Sequence, residues 1–291
     1  QEEVAAWVEW SYSVEQRVKE LLRKAREEAQ GGSSASVKAW GRLRGLLQTI
    51  EDLQAIDMPT DWIVSREQGT GNPVVRPIWG WTVARQLLWG PFPRVLLMSA
   101  TLGDPALLMK KLGIPKEEAA YFDIASHFPV QNRIIYYWPV VKVNRKSDDG
   151  DWDRLASAIE FLMNQPGLRE KKGVVHTGSF AIAEHLFTRL KWNHKERVFA
   201  HLGHGGESQA LTKDHLVSLL RNSSEPIIAL SPSLTTGVDV PYEIGWQVIA
   251  KVPFGDLGDP IVRARRETKL DNKPFGALNY DEEALNTVVQ A

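Results

Sequence analysis

Short hydroxyl residues and glycine follow several apolar runs of the sequence, and these residue types are suited to binding phosphate groups. The residues concerned are Ser99, Ala100 and Thr101; Thr177, Gly178 and Ser179; and Thr235, Thr236, Gly237 and Asp239. Backbone N–H and side-chain O–H groups at such positions hydrogen-bond phosphate oxygens without distinguishing the bases. We therefore expect the hydroxyl groups of the last two segments to hold a single nucleic-acid strand with little sequence preference.

The segment around Asp239 also favours a nucleotide-binding role. Gly237 permits close approach to the backbone, and Asp239 can accept a hydrogen bond from a ribose hydroxyl. Structural alternatives stay open for the hydroxyl residues. Ser179 is equally suited to cap the helix that follows it, and Thr235 and Thr236 are also typical of a turn.

The residues that ATP hydrolysis requires are missing from the sequence. Neither a G-x-x-x-x-G-K-[ST] phosphate loop nor a D-E-x-H acidic motif occurs. Hydrolysis needs the lysine of such a loop and acidic ligands for Mg²⁺. We expect that these residues alone do not hydrolyse ATP.

Metal chemistry has little support in the sequence. His201 and His204 stand close together, but no carboxylate or thiol occurs at ligand spacing, so we expect no metal site. Cysteine is absent, which excludes disulfides, thiolate zinc sites and thiolate-bound iron–sulfur clusters within these residues. The glycines at 203–206 lack a following Lys-Ser/Thr pair and are interpreted as a turn.

The elements that must position the hydroxyl residues alternate between strand and helix from about Arg133 onward. Apolar runs predict strands at 134–137, 173–176, 198–201, 227–230 and 248–252, and helical spacing predicts helices at 152–163, 179–190 and 211–220. This alternation predicts a parallel sheet covered by helices on both faces. In such sheets ligands bind beyond the carboxyl ends of the strands.

The part of the chain before this alternation has a different character. Helical spacing predicts a helical hairpin up to about Leu53, with Ser13 capping a helix and a break at 31–34. Residues 62–89 predict short strands and one short helix. The continuous apolar run at 95–98 predicts a strand buried on both faces. A helix is expected next, with Asp104 as its N-cap and Gly113 at its end.

Composition limits the class of protein. The chain has 291 residues, of which 43% are hydrophobic and 24% charged, with a formal net charge of -1. These values are typical of a soluble globular protein with about two domains. A near-neutral charge still allows a basic groove. The chain begins at Gln1 and stops at Ala291 inside a predicted helix, so we expect it to be part of a longer protein. We also expect that protein to be located in the cytoplasm or at the nucleoid.

The order and spacing of the strand-end segments resemble superfamily 2 helicases, specifically the XPD/DinG group. Ser99-Ala100-Thr101 is similar to motif III, the segment from His176 to Phe180 to motif IV, and Gly237-Val238-Asp239 to the core of motif V. The Pro253-to-Pro260 stretch with Arg263 and Arg265 resembles the segment after motif V, and Gln290 would open motif VI. The resemblance covers about 95–291. A lone S-A-T or G-x-D is unspecific, whereas the ordered set at predicted strand ends is specific.

The resemblance implies an α/β fold: a RecA-like parallel-sheet lobe with helices on both faces, preceded by a helical, arch-like insertion. The implied domains are a helical hairpin at 1–60, the end of a first RecA-like lobe at 61–107, and a second lobe at 108–291, truncated before the end of motif VI. Implied nucleotide-binding residues are Gly237, Asp239 and Gln290. Motif III would couple nucleotide state to DNA binding. Implied DNA-binding residues are Thr177, Gly178, Ser179, Thr235, Thr236, Arg263 and Arg265.

The implied activity is that of an ATP-dependent DNA helicase that translocates 5′ to 3′ on single-stranded DNA and unwinds duplex. ATP and Mg²⁺ would be the cofactors, with most ligands outside these residues, and an iron–sulfur cluster elsewhere stays an open question. Implied partners are single-stranded or forked DNA, the N-terminal helicase lobe and a larger nucleic-acid-processing complex, with no membrane. One alternative is a non-motor nucleic-acid-binding or regulatory module derived from a helicase lobe. A second is an unrelated α/β enzyme such as a nucleotide-sugar transferase.

Overall fold

Two compact units make up the chain. The computed structural model describes all residues except 1, 32–33, 68, 127–128, 130, 132–133, 204–209, 236–237, 239, 241–243 and 291. The first unit combines Gln1–Leu97, Pro105–Ala120 and Asp256–Ala277; the second combines Met98–Asp104, Tyr121–Gly255 and Leu278–Ala291. The expected domain boundaries near residues 60 and 107 stay predictions.

The described residues form α-helices and β-strands in the following order. The helices are α1 (Glu2–Gln30), α2 (Ser34–Gln54), α3 (Trp81–Ala84), α4 (Pro105–Leu112), α5 (Asp149–Met163), α6 (Phe180–His194), α7 (Lys213–Asn222), α8 (Pro260–Glu267) and α9 (Phe275–Gln290). The strands are β1 (Trp62–Arg66), β2 (Pro73–Pro77), β3 (Lys172–His176), β4 (Val198–His201), β5 (Ala210–Leu211), β6 (Ile228–Ser231) and β7 (Ile244–Ile249).

In the first unit, α1 and α2 pack together and are followed by the antiparallel hairpin β1–β2. The buried side chains of Val4, Leu53 and Ile56 form a small core, against which Trp62 and Val64 pack. The two predicted N-terminal helices are therefore confirmed. The arch-like insertion stays a prediction.

The predicted helix start at Ser13 is wrong. Helix α1 begins at Glu2 and runs through this position. The Ser13 hydroxyl donates to the Trp10 carbonyl at 2.7 Å, a bond within the helix that serine also forms in helix interiors. The capping-box pattern around Ser13 was therefore not a boundary signal.

The second unit contains a five-stranded parallel sheet with the strand order β5-β4-β6-β3-β7. Strand β3 lies between β6 and β7. Its last residue, His176, is aligned with Ser231 of β6 and with Ile249 of β7. The last predicted strand, 248–252, begins and ends earlier than expected, at Ile244–Ile249. The carboxyl ends of β3, β6 and β7 thus meet at one side of the sheet, which we call the carboxyl edge.

Helices cover both faces of this sheet. Val175 of β3 is buried in a core that includes Ile159 of α5 and Leu186 of α6. Its neighbour Val174 points to the other face, where it packs in a core with Leu216 of α7. This alternation is expected because successive strand side chains face opposite sides. The α/β fold with a parallel sheet covered on both faces is confirmed.

Local side-chain bonds begin the helices of the second unit. Asp148 and Asp151 form a capping box at the start of α5, and Thr212 accepts from the His215 N–H at the start of α7. Each such cap satisfies a helix N–H group that has no partner within the helix. In the first unit the predicted end of α4 at Gly113 is also confirmed, with φ +64° at that glycine.

Two predicted strands are wrong. The runs at 95–98 and 134–137 form no strand, and their side chains are exposed: Leu96 retains 79% and Ile135 91% of its accessible surface. A strand needs a hydrogen-bonding neighbour, and no described residue pairs with either run. Apolar sequence indicated a tendency towards burial but could not indicate where the covering surface would come from.

Within the described ranges, no helix combines the length and apolar character needed to cross a membrane.

Candidate functional site

The carboxyl edge brings together two of the predicted hydroxyl segments. Residues Thr177, Gly178 and Ser179 follow β3 directly, and Ser233 and Thr235 follow the neighbouring strand β6. Because β3 and β6 are parallel and in register, both segments leave the sheet at the same side. The positions Thr236, Gly237 and Asp239 continue the second segment but lie outside the described residues.

Thr177 is held by bonds within the protein. It is fully buried. Its backbone N–H donates to the Ser231 carbonyl at 3.0 Å, and its hydroxyl donates to the Ser179 carbonyl at 3.0 Å. Both of its donors are therefore used to join β3 to β6 and to shape the turn. Thr177 therefore has a supporting role at this edge, and its expected contact with a nucleic-acid strand stays a prediction.

Gly178 and Ser179 form the turn from β3 into α6. Gly178 has φ +71°, a backbone conformation that favours glycine. The Ser179 hydroxyl oxygen accepts from the Ile182 N–H at 3.3 Å and is the N-cap of α6. The structural alternative for Ser179 is confirmed, although a hydroxyl that accepts in this way keeps its hydrogen for a ligand.

His201 organises the hydroxyl groups at the end of β6. Its Nδ1 lies 3.0 Å from the Ser233 hydroxyl and 3.3 Å from the Ser231 hydroxyl, and the Phe180 ring packs edge-on against the imidazole. Burial, and then the charge of Lys213, lower the pKa of His201. From the sequence, metal binding was the one role weighed for His201, and no metal site was expected. No group of potential metal ligands occurs among the described residues, and His204 is not among them.

A small pocket opens at the carboxyl edge between the segments that follow β3, β6 and β7. It is lined by His176, Gly178, Thr235, Ile249, Lys251, Pro253, Thr287 and Val288, and we call it the strand-end pocket. Its volume is about 10 Å³, close to the minimum that holds one water-sized group. A phosphate oxygen therefore fits this space and a base does not.

Among these residues, binding roles were expected for Gly178 and Thr235, whereas no role of its own was expected for His176, Lys251 or Thr287. His176 retains 3% of its accessible surface, and its Nε2 lies 2.7 Å from Oε1 of Gln247. Burial lowers the pKa of His176, and the Gln247 bond opposes that shift. A polar residue at the end of an apolar strand run was the available signal for His176. Nothing in the spacing indicated that Thr287 of α9 would reach this pocket.

The S-A-T segment and Gln290 meet elsewhere in the second unit. The Gln290 side-chain amide donates to the Thr101 hydroxyl, and the Thr101 N–H donates to the Ser99 hydroxyl at 3.2 Å. The carboxylate of Glu282, on the same helix α9, accepts from the Asp104 N–H. Two segments that the sequence assigned to coupling and to nucleotide binding are therefore in direct contact.

The two predicted arginines lie on α8, in the first unit. Arg265 donates through Nε to the Ile78 carbonyl at 2.6 Å, and its guanidinium lies over the ring of Trp79. Arg263 donates to the Leu257 carbonyl at 3.2 and 3.1 Å. Arg265 therefore stabilises the packing of α8 within the first unit. Arg263 is exposed, and its guanidinium has further N–H donors that these two bonds do not use.

Comparison of the chain with models of known protein families and with curated proteins found no match. The residues that line the strand-end pocket include Gly178, Thr235 and Lys251, whose backbone N–H, hydroxyl and ammonium groups are of the kinds that bind oxyanions.

Proposed function

We propose that the chain is the C-terminal motor part of an ATP-dependent DNA helicase of the XPD/DinG type, and that its carboxyl edge holds the backbone of single-stranded DNA. The observation that carries this proposal is the strand-end pocket. Gly178, Thr235 and Lys251 follow three neighbouring strands, β3, β6 and β7, and line one small cavity.

The chemistry of the edge supports recognition of the sugar-phosphate backbone. The ammonium group of Lys251 provides charge, and the Thr235 hydroxyl provides a neutral donor. A cavity of about 10 Å³ excludes a base from the pocket, so this contact carries no sequence information. Such a contact suits a protein that moves along DNA of any sequence.

In this proposal, ATP and Mg²⁺ bind mainly to the N-terminal lobe, which supplies the phosphate loop and the acidic motif. Asp239 and Gln290 would face the nucleotide from this chain, and Ser99, Ala100 and Thr101 would couple nucleotide state to DNA binding. The contact between Gln290 and Thr101 supports that coupling because it links the two segments directly. Alternating affinity of two lobes for DNA would then drive 5′-to-3′ translocation and unwinding.

The proposal is tested by binding of the chain to a fluorescein-labelled thymidine 20-mer, measured by fluorescence anisotropy. We expect binding at low salt that weakens linearly with the logarithm of salt concentration, because phosphate contacts release counterions. A cytidine 20-mer should bind within about threefold of the thymidine 20-mer, because stacking differs modestly between pyrimidines. Absence of binding at 20 mM salt, or a strong preference for one base, would contradict the proposal.

A further inference from the structure

The strand-end pocket contains a lysine and a buried imidazole whose chemistry allows a sharper assignment. We propose that Lys251 binds one backbone phosphate of the DNA strand in this pocket, and that His176 takes up a proton when the phosphate binds. The inference rests on the proposed function, because it takes the ligand to be a phosphodiester strand.

Lys251 is the charged group of the pocket. It follows β7 by two residues and is exposed, and no carboxylate among the described residues pairs with it within salt-bridge distance. Two further polar residues that line the pocket, Thr235 and Thr287, carry no charge. A lysine that lines the pocket and pairs with no described carboxylate attracts an anion, and a strand phosphate is the anion that the proposed function supplies.

His176 has one ring nitrogen committed and one free. Because the Gln247 Oε1 can only accept, the Nε2 at 2.7 Å carries the hydrogen, and Nδ1 presents a lone pair. Nδ1 is buried and has no hydrogen-bond partner among the described residues. Burial lowers the pKa of His176, so the ring is neutral in the unliganded protein at neutral pH.

A bound phosphate changes this balance. Its negative charge favours the protonated ring over the neutral ring, so a proton from solvent forms a new N–H bond at Nδ1. By linkage, a site that gains a proton on binding gains affinity as the pH falls. Among the described residues that line the pocket, the other titratable side chain is Lys251, and the neighbouring Gln247, Thr235 and Thr287 are uncharged. The proton is therefore assigned to His176.

The lysine is tested with Lys251→Ala and Lys251→Arg, using the thymidine 20-mer over a salt series. We expect Lys251→Ala to weaken binding about tenfold or more, the loss associated with one charge-assisted contact, and to reduce the salt slope by about 0.7, the single-strand value for one phosphate. Lys251→Arg should keep the slope. The control is Lys146→Ala, which removes an exposed lysine of the same unit that does not line the pocket, and should stay within about twofold of the native chain.

Proton uptake on binding is tested by calorimetric titration of the chain with the thymidine 20-mer at pH 6.5, in two buffers of different ionisation enthalpy. We expect uptake of up to about one proton for each bound strand, and uptake that disappears in His176→Gln. His215→Gln, at an exposed histidine of α7, should take up the same amount as the native chain. The pH dependence of native-chain affinity measures the same linkage without any substitution at a buried site.

The outcomes separate the two proposals. If the native chain binds the 20-mer but Lys251→Ala binds equally well with an unchanged slope, the pocket assignment is wrong while the proposed function stands. If the slope falls as expected but His176→Gln takes up as many protons as the native chain, the assignment of the proton is wrong. If the native chain does not bind the 20-mer at all, the proposed function and the pocket assignment both fail.

Discussion

At the scale of single residues, the hydroxyl groups of the carboxyl edge differ in what they have left to offer a ligand. Thr177 uses both its donors within the protein, and Ser179 uses its oxygen to cap α6. Thr235, by contrast, lines the pocket with a hydroxyl that has no partner among the described residues. The presence of hydroxyl residues at this edge was predictable from the sequence. Which of them bond within the protein was not predictable, because these bonds depend on backbone groups that only the fold brings close.

Replacement of Thr177 by valine should lower stability without weakening DNA binding. Valine keeps the shape of the side chain but removes the hydroxyl that donates to the Ser179 carbonyl, a loss of about 1 kcal/mol. Urea unfolding would measure the stability and anisotropy the binding. Thr177→Ser, which retains the hydroxyl, is the matched control. A tenfold loss of binding in Thr177→Val with unchanged stability would show that Thr177 contacts the strand directly.

Two histidines, the buried His176 and the half-buried His201, predict how stability depends on pH. Burial lowers the pKa of both His176 and His201 in the folded protein, so the unfolded chain binds more protons below about pH 6.5, the ordinary histidine pKa. The contribution of these two histidines to the free energy of unfolding is therefore fully present above this pH and is lost as the pH falls through it. The urea midpoint should be lower at pH 5.5 than at pH 7.5, and His176→Gln should reduce the difference. A midpoint that rises on acidification would contradict this account.

At the scale of elements, the sequence predicted β3, β4, β6, α5, α6 and α7 because each belongs to a repeating strand–helix pattern. Short apolar runs and helical stripes record that pattern directly. The prediction of a strand at 95–98 was wrong for a different reason. Its residues are apolar enough for a strand, but strand formation depends on a partner, and Leu96 and Met98 are exposed in the described structure.

The arrangement of the elements also explains why two residues of the pocket were not predicted. Lys251 and Thr287 belong to segments separated from Gly178 by more than 70 positions in the sequence. They reach the same cavity because β7 lies beside β3 and because α9 closes against the strand ends. Strand order is a long-range property, and one sequence does not specify it by local periodicity.

At the scale of the whole molecule, the second unit carries the proposed DNA-binding edge, whereas the sequence lacks the motifs that cleave ATP. The sequence contains no phosphate-loop lysine motif and no D-E-x-H motif. We expect the chain alone to show no ATP hydrolysis, with or without single-stranded DNA, because positioning of phosphates and Mg²⁺ accounts for nearly all catalysis of phosphoryl transfer. A coupled phosphate-release assay would measure it. DNA-stimulated turnover by the purified chain would contradict the assignment of the catalytic groups to another lobe.

A crystal structure of the chain bound to a thymidine 8-mer tests the binding edge most directly. The account predicts a backbone phosphate at the strand-end pocket, with its oxygens within about 2.7–3.2 Å of hydrogen-bond donors of Gly178, Thr235 and Lys251. A strand bound at another surface of the second unit, with this edge unoccupied in the same crystals, would contradict the account.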